Sequence, residues 1–306
     1  METRDSMIKR VRDAKRVFPI FIPSFKRWEH KDSITLSKLF KDCSEELKNK
    51  VYVFVRQEQL SKYEQSYKGW GYNFVALPKM DGVKLADTLQ YMLDYAKENR
   101  MPHIMSLDDD ITHLYFLYRE GVYTHHNKVE DMNIEGVVRL ACDISYEIFK
   151  DNENTVFGAL RRRTFCQGPE NSEVKYWING GQTPRGVVFY DVKRAFAFGI
   201  KHNKIFNPTG TDMGIIAESL QAGADLFSIP SLAYWMVDEK INSVMRDNTN
   251  RKQLALYEYE QFQKYPLKDY LKVNQRYDDG QYAFGDMDWV KFHKLYPERI
   301  KRKVLW

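Results

Sequence analysis

Short apolar runs rich in β-branched and aromatic residues alternate with longer helical patterns in the first third of this chain. Four of these runs have the length and composition of buried strands: FPIFIPS (18–24), VYVFV (51–55), NFVALP (73–78) and HIMSL (103–107). After Asp81-Gly82, apolar residues between Leu85 and Ala96 recur on one helical face. Strands that alternate with helices in this way predict βαβ units and a largely parallel sheet.

The second half of the chain continues the pattern less regularly. Asn133 is placed to cap a helix, Asp212 to Ala222 reads as a helix that stops at Gly223, and three further runs read as strands: TVFGAL (155–160), GVVFYDV (186–192) and DLFSIP (225–230). From Asn242 onward the sequence is polar and aromatic, and we expect no further strand. We therefore predict an α/β domain over residues 1–240 and a helical or irregular C-terminal extension over residues 241–306 packed on it.

Charge and composition exclude several classes of protein. The net charge of +5 permits a polyanionic partner without requiring one. No apolar run reaches 18 residues, and the basic N-terminus lacks the apolar core of a signal peptide, so we expect no membrane span and no leader. Cys43, Cys142 and Cys166 are few and far apart, which favours a reducing cytoplasm and argues against a structural zinc site.

Three consecutive aspartates follow the fourth predicted strand, in LDDDI (107–111). Ligands of open parallel sheets bind outside the carboxyl ends of the strands. Clustered carboxylates are tolerated there when a divalent cation neutralises them, and their hard oxygens suit Mg²⁺ or Mn²⁺ shared with phosphate. The motif thus predicts a metal–diphosphate site. The alternative is a turn whose aspartates cap a helix that begins with residues 112–118.

The segments PIFIPSFKR (19–27) and LDDDI (107–111), in this order and with two strands and a helix between them, resemble the GT-A-fold, TET/JBP-associated glycosyltransferases of bacteriophages. The resemblance covers roughly residues 17 to 235. It implies a GT-A-like mixed, mostly parallel sheet flanked by helices. It also implies that a sugar, with glucose as the first candidate, moves from a UDP-sugar to a hydroxymethylated pyrimidine in double-stranded phage DNA, with 5-hydroxymethylcytosine as the first candidate. The implied cofactor is Mn²⁺ or Mg²⁺, and the implied location is the cytoplasm of an infected bacterium.

The resemblance also assigns roles to individual residues. It places the donor nucleotide against residues at the end of the first strand and after it: Pro23, Ser24, Lys26 and Arg27. A hydroxyl and two cations suit uracil oxygens and a diphosphate. Asp108 then faces the ribose or the donor sugar, Asp110 binds the metal, and Asp109 contributes to either. The alternative for the first group is a loop of surface charges.

Two later segments complete the implied site. Asp212, at the start of a predicted helix, is the candidate base that deprotonates the acceptor hydroxyl, and its alternative is an N-cap. The segment WINGGQTPRG (177–186) is the candidate loop over the donor sugar, with Asn179, Gly180, Gly181 and Gln182 as contacts. Its alternative is an ordinary hairpin turn.

The sequence departs from the family pattern near the helix after Gly82, where Lys84 stands in place of an expected arginine. Many GT-A enzymes add a late histidine to the metal, but spacing selects neither His202 nor His293. Two basic clusters are candidates for DNA phosphate contacts: Arg161, Arg162, Arg163 and Lys301, Arg302, Lys303. Their alternative is a solvated surface. Aromatic residues interleaved with polar ones form a further candidate for nucleic-acid contact: Tyr257, Tyr259 and Phe262.

Three other functions compete with this hypothesis. The first is the same chemistry on a glycan or protein acceptor. The second is a sugar nucleotidyltransferase, which is expected to carry a glycine-rich loop after its first strand, whereas PSFKRW contains no glycine. The third is a DNA-binding or structural protein on a decayed transferase scaffold, against which the intact triple aspartate argues.

Overall fold

The computed structural model of the chain describes residues 4–29, 35–79, 85–117, 134–162, 174–181, 183–202, 211–236, 260, 271–275 and 282–304. The helices are α1 (Arg4–Asp13), α2 (Glu45–Lys48), α3 (Leu60–Ser66), α4 (Leu85–Glu98), α5 (Ile134–Asp151), α6 (Val192–Ala197), α7 (Thr211–Gln221) and α8 (Trp289–Leu295). The strands are β1 (Ile20–Pro23), β2 (Val51–Arg56), β3 (Asn73–Leu77), β4 (His103–Leu107), β5 (Ile111–Phe116), β6 (Thr155–Arg162), β7 (Val174–Ile178), β8 (Val187–Asp191), β9 (Asp225–Met236), β10 (Leu271–Gln275), β11 (Tyr282–Met287) and β12 (Lys301–Val304).

One sheet of ten strands organises the described residues. Its order is β12-β7-β9-β6-β8-β4-β1-β2-β3, and β5 joins it by pairing with β9. Strands β1 to β4 run parallel to one another. Strand β8 is antiparallel to β4 and β6, and β6 is parallel to β9, so β6 and β9 point the same way as β4. With β12, seven of the ten strands share one direction, and the predicted mixed, mostly parallel sheet is confirmed.

Both faces of the sheet are buried, as the near-continuous apolar runs predict. In β1, Ile20 and Ile22 enter one core cluster while Phe21 enters the other, because successive side chains of a strand point to opposite faces. The first cluster is covered by α1 and α5, through residues such as Val11 and Val138. The second is covered by α4, α6 and α7. The predicted strands β1–β4, β6, β8 and β9 and the predicted helices α4, α5 and α7 are confirmed.

The aspartate motif is followed by a strand. Residues 112–118 were the candidate start of a helix capped by the aspartates, and that alternative is wrong, because β5 begins directly after the motif at Ile111. The hairpin alternative for residues 177–186 is also wrong. Strand β7 pairs with β9 and β12, whereas β8 pairs with β4 and β6, so the segment between β7 and β8 crosses between strands that are not neighbours.

The expectation of no strand after Asn242 is wrong as well. Strands β10 and β11 form a separate two-stranded sheet, and β12 extends the main sheet by pairing with β7. The sequence KRKV of β12 hides a strand because β12 is an edge: Lys301, Arg302 and Lys303 are exposed, so no apolar alternation is required. Charged residues on an edge strand also discourage pairing with other chains.

Seven strands end at the same side of the sheet, which is called here the carboxyl edge. It brings together the last residues of distant segments, among them Pro23 of β1, Leu107 of β4 and Arg162 of β6. Among the described helices, none is both long enough and apolar enough to cross a lipid bilayer.

Candidate active site

A carboxylate cluster lies at the carboxyl edge. Asp108, Asp109 and Asp110 leave β4, and Asp212, in the first turn of α7, is close enough for its charge to act on Asp108. Burial raises the pKa of Asp108 well above the usual carboxyl range, and the negative charges of Asp110, Asp212 and Asp109 raise it further, while Arg27 opposes them. A proton or a cation therefore relieves the repulsion within the cluster.

Thr35 holds the backbone of the aspartate turn. Its fully buried hydroxyl accepts a hydrogen bond from Ile111 N (2.9 Å) and lies 3.0 Å from the carbonyl oxygen of Asp108 and 3.1 Å from that of Ile111. Thr35 N donates to the carbonyl oxygen of Asp109 (3.4 Å). The turn is thus fixed by a residue from a π-helical segment, Thr35–Leu39, that is more than seventy residues earlier in the chain.

Asp109 connects the aspartate turn to the loop after β1. Its Oδ2 accepts from Ser24 Oγ (2.9 Å) and lies 3.3 Å from Arg27 Nε. Tyr63 Oη lies 2.8 Å from Ser24 Oγ and accepts from Arg27 N (2.9 Å). Because the proton of Ser24 goes to Asp109, Tyr63 donates to Ser24. The result is a directed chain from the Arg27 amide through Tyr63 and Ser24 to Asp109.

This chain leaves a specific set of groups open to a ligand. Ser24 is buried and its hydroxyl is fully used, so Ser24 supports the loop instead of offering a free donor. Arg27 is 5% exposed, and its buried Nη1 makes no hydrogen bond. Lys26 is exposed with a positive φ of 57°, and its backbone amide donates to the side chain of Gln59 (2.9 Å). Pro23 ends β1 directly before this loop.

Asp212 lies in the first turn of helix α7, one residue after Thr211, the first described residue of the helix. The residue before Thr211 lies outside the described part of the chain, so the alternative of a helix cap stays a prediction. Burial raises the pKa of Asp212, and the Arg185 guanidinium opposes that rise. Two buried tyrosines adjoin the same carboxylates: burial and the charges of Asp212 and Asp108 raise the pKa values of Tyr190 and Tyr234. Both hydroxyls therefore stay neutral and suit hydrogen bonding to a carboxylate.

The loop residues predicted to contact the donor sugar lie elsewhere. Asn179 is fully buried and sits at the level of Leu226, which corresponds across the sheet to Ile104 of β4. That level is about 13 Å along the strand from Asp108, and β9 is three strands, about 14 Å, from β4. The amide of Asn179 donates to Asp225 Oδ1 (2.6 Å) and the carbonyl oxygen of Arg299 (2.9 Å). Its side chain is therefore structural.

The adjacent glycines are packed against protein. A Cβ on Gly180 would lie 3.3 Å from the Trp177 ring, and one on Gly181 would lie 2.3 Å from Ser228 Oγ. Gly181 also has a φ of +80°, which favours glycine. The structure brings neither glycine to the carboxylate cluster. The end of the same loop does reach it: Gly186 O accepts from Asp108 N (3.0 Å).

The first basic cluster adjoins the site and the second does not. Arg162 is paired with Tyr234 in the sheet, and its charge opposes the rise of the Tyr234 pKa. Arg161 precedes it at the end of β6. The Lys301–Lys303 cluster lies on β12, five strands from β4, or about 24 Å across the sheet. There Lys303 pairs with Glu147 (3.2 Å) and Asp151 (3.1 Å) of α5.

The two candidate histidines have different surroundings. His202 is buried against Tyr190, and burial lowers its pKa to about 3. His293 donates to the carbonyl oxygen of Asn179 (2.8 Å), away from the aspartate turn. Several residues considered above lie outside the described residues: Asp81, Gly82, Lys84, Asn133, Arg163, Cys166, Gln182, Tyr257, Tyr259 and Phe262.

The donor set fits one mode of divalent-cation binding. No three histidine, cysteine or carboxylate side chains in the described ranges converge into a complete protein cage. Mg²⁺ is usually held by one or two carboxylates together with substrate phosphates and waters. Asp108 and Asp110 provide hard carboxylate oxygens, and the raised pKa of Asp108 reflects its burial and the neighbouring negative charge, which a cation would neutralise. Asp109 accepts from Ser24 and pairs with Arg27, so it is not one of the candidate metal ligands.

Thr35, Tyr63, Arg185 and Tyr234 take part in the site, and sequence patterns did not reveal them. Each acts through a contact that spans a large sequence separation, such as the 39 residues between Ser24 and Tyr63. One weak signal was present. Arg185 lies in the loop segment 177–186 directly before the predicted strand that begins at Gly186, and binding and catalytic residues are disproportionately found on loops.

Residues 18–222 match the family described as TET-Associated Glycosyltransferase. The mixed, mostly parallel sheet flanked by helices is the fold class that the sequence predicted. The chain belongs to the TET-associated glycosyltransferase family, because the match covers about two thirds of its residues. The predicted family and enzyme class are confirmed. No curated protein has a matching sequence.

Solved structures of glycosyltransferases resemble the chain at low identity. One is S. aureus TarS in complex with UDP-GlcNAc, which is 9% identical with a TM-score of 0.47. The alignment covers 82% of this chain and 68% of that chain. Another is glucosyl-3-phosphoglycerate synthase from Mycobacterium tuberculosis with Mn²⁺, UDP and glucosyl-3-phosphoglycerate: 10% identity, TM-score 0.47, 90% of this chain and 91% of that chain. At these values the likeness adds no weight to the family assignment.

Proposed function

We propose that this glycosyltransferase moves a hexose, with glucose as the first candidate, from a UDP-sugar to the hydroxymethyl group of 5-hydroxymethylcytosine in double-stranded DNA. The observation that supports the donor chemistry most is the carboxylate cluster of Asp108, Asp110 and Asp212 beside the Arg27 loop at the carboxyl edge. Membership of the TET-associated family supports the DNA acceptor.

The donor site is proposed around the loop after β1. The buried, unbonded Nη1 of Arg27 and the exposed Lys26 provide positive charge for the diphosphate. Asp108 faces the ribose or the sugar. Asp110, with Asp108, would hold Mn²⁺ or Mg²⁺. When bound there, the cation offsets the negative charge of the donor diphosphate and the charge that develops on the UDP leaving group.

Asp212 is the proposed general base. It accepts the proton of the acceptor hydroxymethyl group as that oxygen attacks the anomeric carbon of the sugar. Burial raises the pKa of Asp212, which makes the carboxylate a stronger base, and the Arg185 charge keeps it available in its ionised form. Tyr190 and Tyr234 adjoin Asp212 and Asp108 with neutral hydroxyls, which add no further negative charge to the cluster.

The acceptor is tested by direct product analysis. Protein, UDP-glucose and Mn²⁺ are incubated with duplexes that contain cytosine, 5-hydroxymethylcytosine or 5-hydroxymethyluracil, and the nucleosides are then weighed by mass spectrometry. We expect a hexose on 5-hydroxymethylcytosine and none on cytosine. Modification of neither hydroxymethylated base across several UDP-sugars would refute the DNA acceptor and favour a glycan or protein acceptor.

Binding to DNA should depend steeply on salt, because neutralising phosphates releases counterions. Arg161, Arg162 and the β12 cluster are the proposed phosphate contacts. Lys301→Ala with Arg302→Ala should flatten the slope of log affinity against log salt by about two, since each phosphate contact contributes about 0.9. Lys303 is left intact because it pairs with α5.

The matched control for the salt experiment removes two charges that lie away from β12, beside the parallel strands β1 to β4. Lys50 precedes β2 and Lys97 lies in the last turn of α4, and both are exposed. Lys50→Ala with Lys97→Ala should leave the slope near that of the wild type. An equal slope in the two double variants would show that β12 does not contact DNA.

Tyr63→Phe should weaken UDP binding by about tenfold, because it removes the hydroxyl that orders both Ser24 and the Arg27 amide, and each hydrogen bond contributes about 1 kcal/mol. Calorimetric titration with UDP and Mn²⁺ measures the effect. Tyr176→Phe is the control, since the Tyr176 hydroxyl accepts from Asn152 Nδ2 (3.4 Å), far from this loop. Equal UDP affinity in both variants would contradict the proposed chain.

A further inference from the structure

The loop of residues 179–186 connects the lower part of the sheet to the carboxylate cluster. Its end is fixed at the site by the bond from Asp108 N to Gly186 O (3.0 Å). The ring of Tyr234 lies so close to Gly186 that an added Cβ would stand 2.6 Å from Cζ. Arg185, the residue before Gly186, acts on Asp212 through its charge. The position of this loop therefore decides where the Arg185 guanidinium lies relative to Asp212, the proposed base.

The start of the loop has an unusual backbone. Asn179 has a φ of 49°, a left-handed conformation that few residues other than glycine adopt, although asparagine tolerates it better than most. Its side chain is fully buried, and its Oδ1 accepts from Leu226 N (2.9 Å) while its Nδ2 donates to Asp225. Such a conformation persists when the surrounding structure holds it, and here much of that structure comes from the far C-terminal end of the described chain.

Residues 287–299, called here the C-terminal clamp, contact the loop at several points. His293 Nε2 donates to the carbonyl oxygen of Asn179 (2.8 Å). The carbonyl oxygen of Arg299 accepts from Asn179 Nδ2 (2.9 Å). Met287 N lies 3.5 Å from Thr183 Oγ1, in the middle of the loop. An added Cβ on Gly180 would lie 3.4 Å from His293 Nε2, so the clamp packs closely on the loop.

The clamp is itself anchored to the sheet. Arg299 donates from Nε (3.1 Å) and Nη2 (3.0 Å) to Asp225 Oδ1, and from Nη2 to the carbonyl oxygen of Ala224 (2.6 Å). Asp225 Oδ1 also accepts from Asn179, so one carboxylate oxygen joins the clamp, the loop and the first residue of β9. Phe292 adds a buried apolar contact to the second core cluster.

We infer that the C-terminal clamp is a positioning element of the active site: by holding Asn179 and Thr183 it sets the path of loop 179–186 and thereby the place of Arg185 beside Asp212. His293 and Arg299 are its positioning residues. The clamp lies outside the segment that matches the family, residues 18–222. The inference rests on the proposed role of Asp212 in the reaction.

His293 provides the cleanest test, because removal of Arg299 would leave the buried Asp225 without its cation. His293→Ala deletes the bond to Asn179, and His293→Gln restores a donor, since the glutamine amide reaches about as far as the imidazole Nε2. Lys294→Ala, an exposed neighbour on α8, is the matched control. Amide hydrogen exchange of the peptide that spans residues 179–186 reports the loop directly and requires neither donor nor acceptor.

We expect exchange in this peptide to accelerate about threefold to tenfold in His293→Ala, as for the loss of one hydrogen bond, and to return toward the wild-type rate in His293→Gln. Hydrolysis of UDP-glucose should show a kcat lower by about tenfold in His293→Ala with an almost unchanged KM, because geometry at the base is disturbed and donor contacts are not. Lys294→Ala should match the wild type in both measurements.

A lower melting temperature in His293→Ala with unchanged exchange over residues 179–186 would overturn the inference, because His293 would then only stabilise the fold. Faster exchange with unchanged kcat would overturn it too, since the loop would move without consequence for Asp212. Failure of the DNA acceptor is distinguishable from both outcomes. In that case the wild type modifies no DNA base, while the exchange and hydrolysis measurements still decide the role of the clamp.

Discussion

Asp110→Ala is expected to abolish transfer and hydrolysis of the donor sugar. The substitution removes a proposed metal ligand from a cluster that otherwise concentrates negative charge, and loss of such charge stabilisation costs several kcal/mol in the transition state. Addition of EDTA to the wild type should reproduce the loss. In calorimetry, Mn²⁺ with UDP should bind the wild type and not the variant.

The affinity for the same cation should depend on pH. Because burial and neighbouring charges raise the pKa of Asp108, protons compete for it at a higher pH than for an ordinary carboxylate. Below that raised pKa Asp108 is protonated, so Mn²⁺ affinity and the rise in melting temperature that Mn²⁺ produces should both decline as the pH falls. Full activity in EDTA, or undiminished activity of Asp110→Ala, would refute the metal site.

Asp212→Asn is expected to lose at least about a hundredfold in kcat, because a general base contributes roughly 10² to 10⁴-fold. UDP affinity should change little, since the substitution keeps the size of the side chain and the proposed role of Asp212 concerns the acceptor hydroxyl. Single-turnover kinetics on modified DNA, or donor hydrolysis alone, measures the effect. Asp5→Asn, in the exposed first turn of α1, is a matched control for the loss of a carboxylate from a helix start.

A variant with normal kcat and a lower melting temperature would contradict this role, and Asp212 would then act only on helix α7. The pH profile gives a second criterion. Because burial raises the pKa of Asp212, the wild-type rate should rise with pH through a value above the ordinary carboxyl range, and that rise should be missing from the residual activity of the variant.

Local sequence patterns predicted the elements that are buried on both sides. Strands β1, β2 and β4 could be recognised in the sequence because they lie inside the sheet and both of their faces need apolar residues, and α4 and α5 because one face does. Because β4 could be recognised in this way, the aspartate motif could be placed at the end of a strand. An edge strand such as β12 has no such requirement, so the sequence KRKV gave no sign of it.

Pairing between distant strands was not predictable from these patterns. The loop from Asn179 to Gly186 was expected over the donor sugar, but β7 pairs with β9 instead of β8, and the start of the loop lies low on the sheet as a result. Thr35 and Tyr63 were missed because a buried hydroxyl shows its role only when its partners are known. The sequence could not distinguish Asp109 from Asp108 and Asp110. In the structure, the contacts with Ser24 and Arg27 give Asp109 a separate role.

The order of the strands also has a consequence for how the chain acquires its structure. Strand β4 ends at Leu107, but its neighbour β8 begins only at Val187, and the partner of β5 begins at Asp225. During synthesis the β4 edge of the parallel unit of β1 to β4 therefore stays unpaired while about eighty further residues are made. Closure of such long-range pairings is slow and leaves strand edges exposed to other chains. We expect the nascent protein to depend on chaperones more than its stable core would suggest.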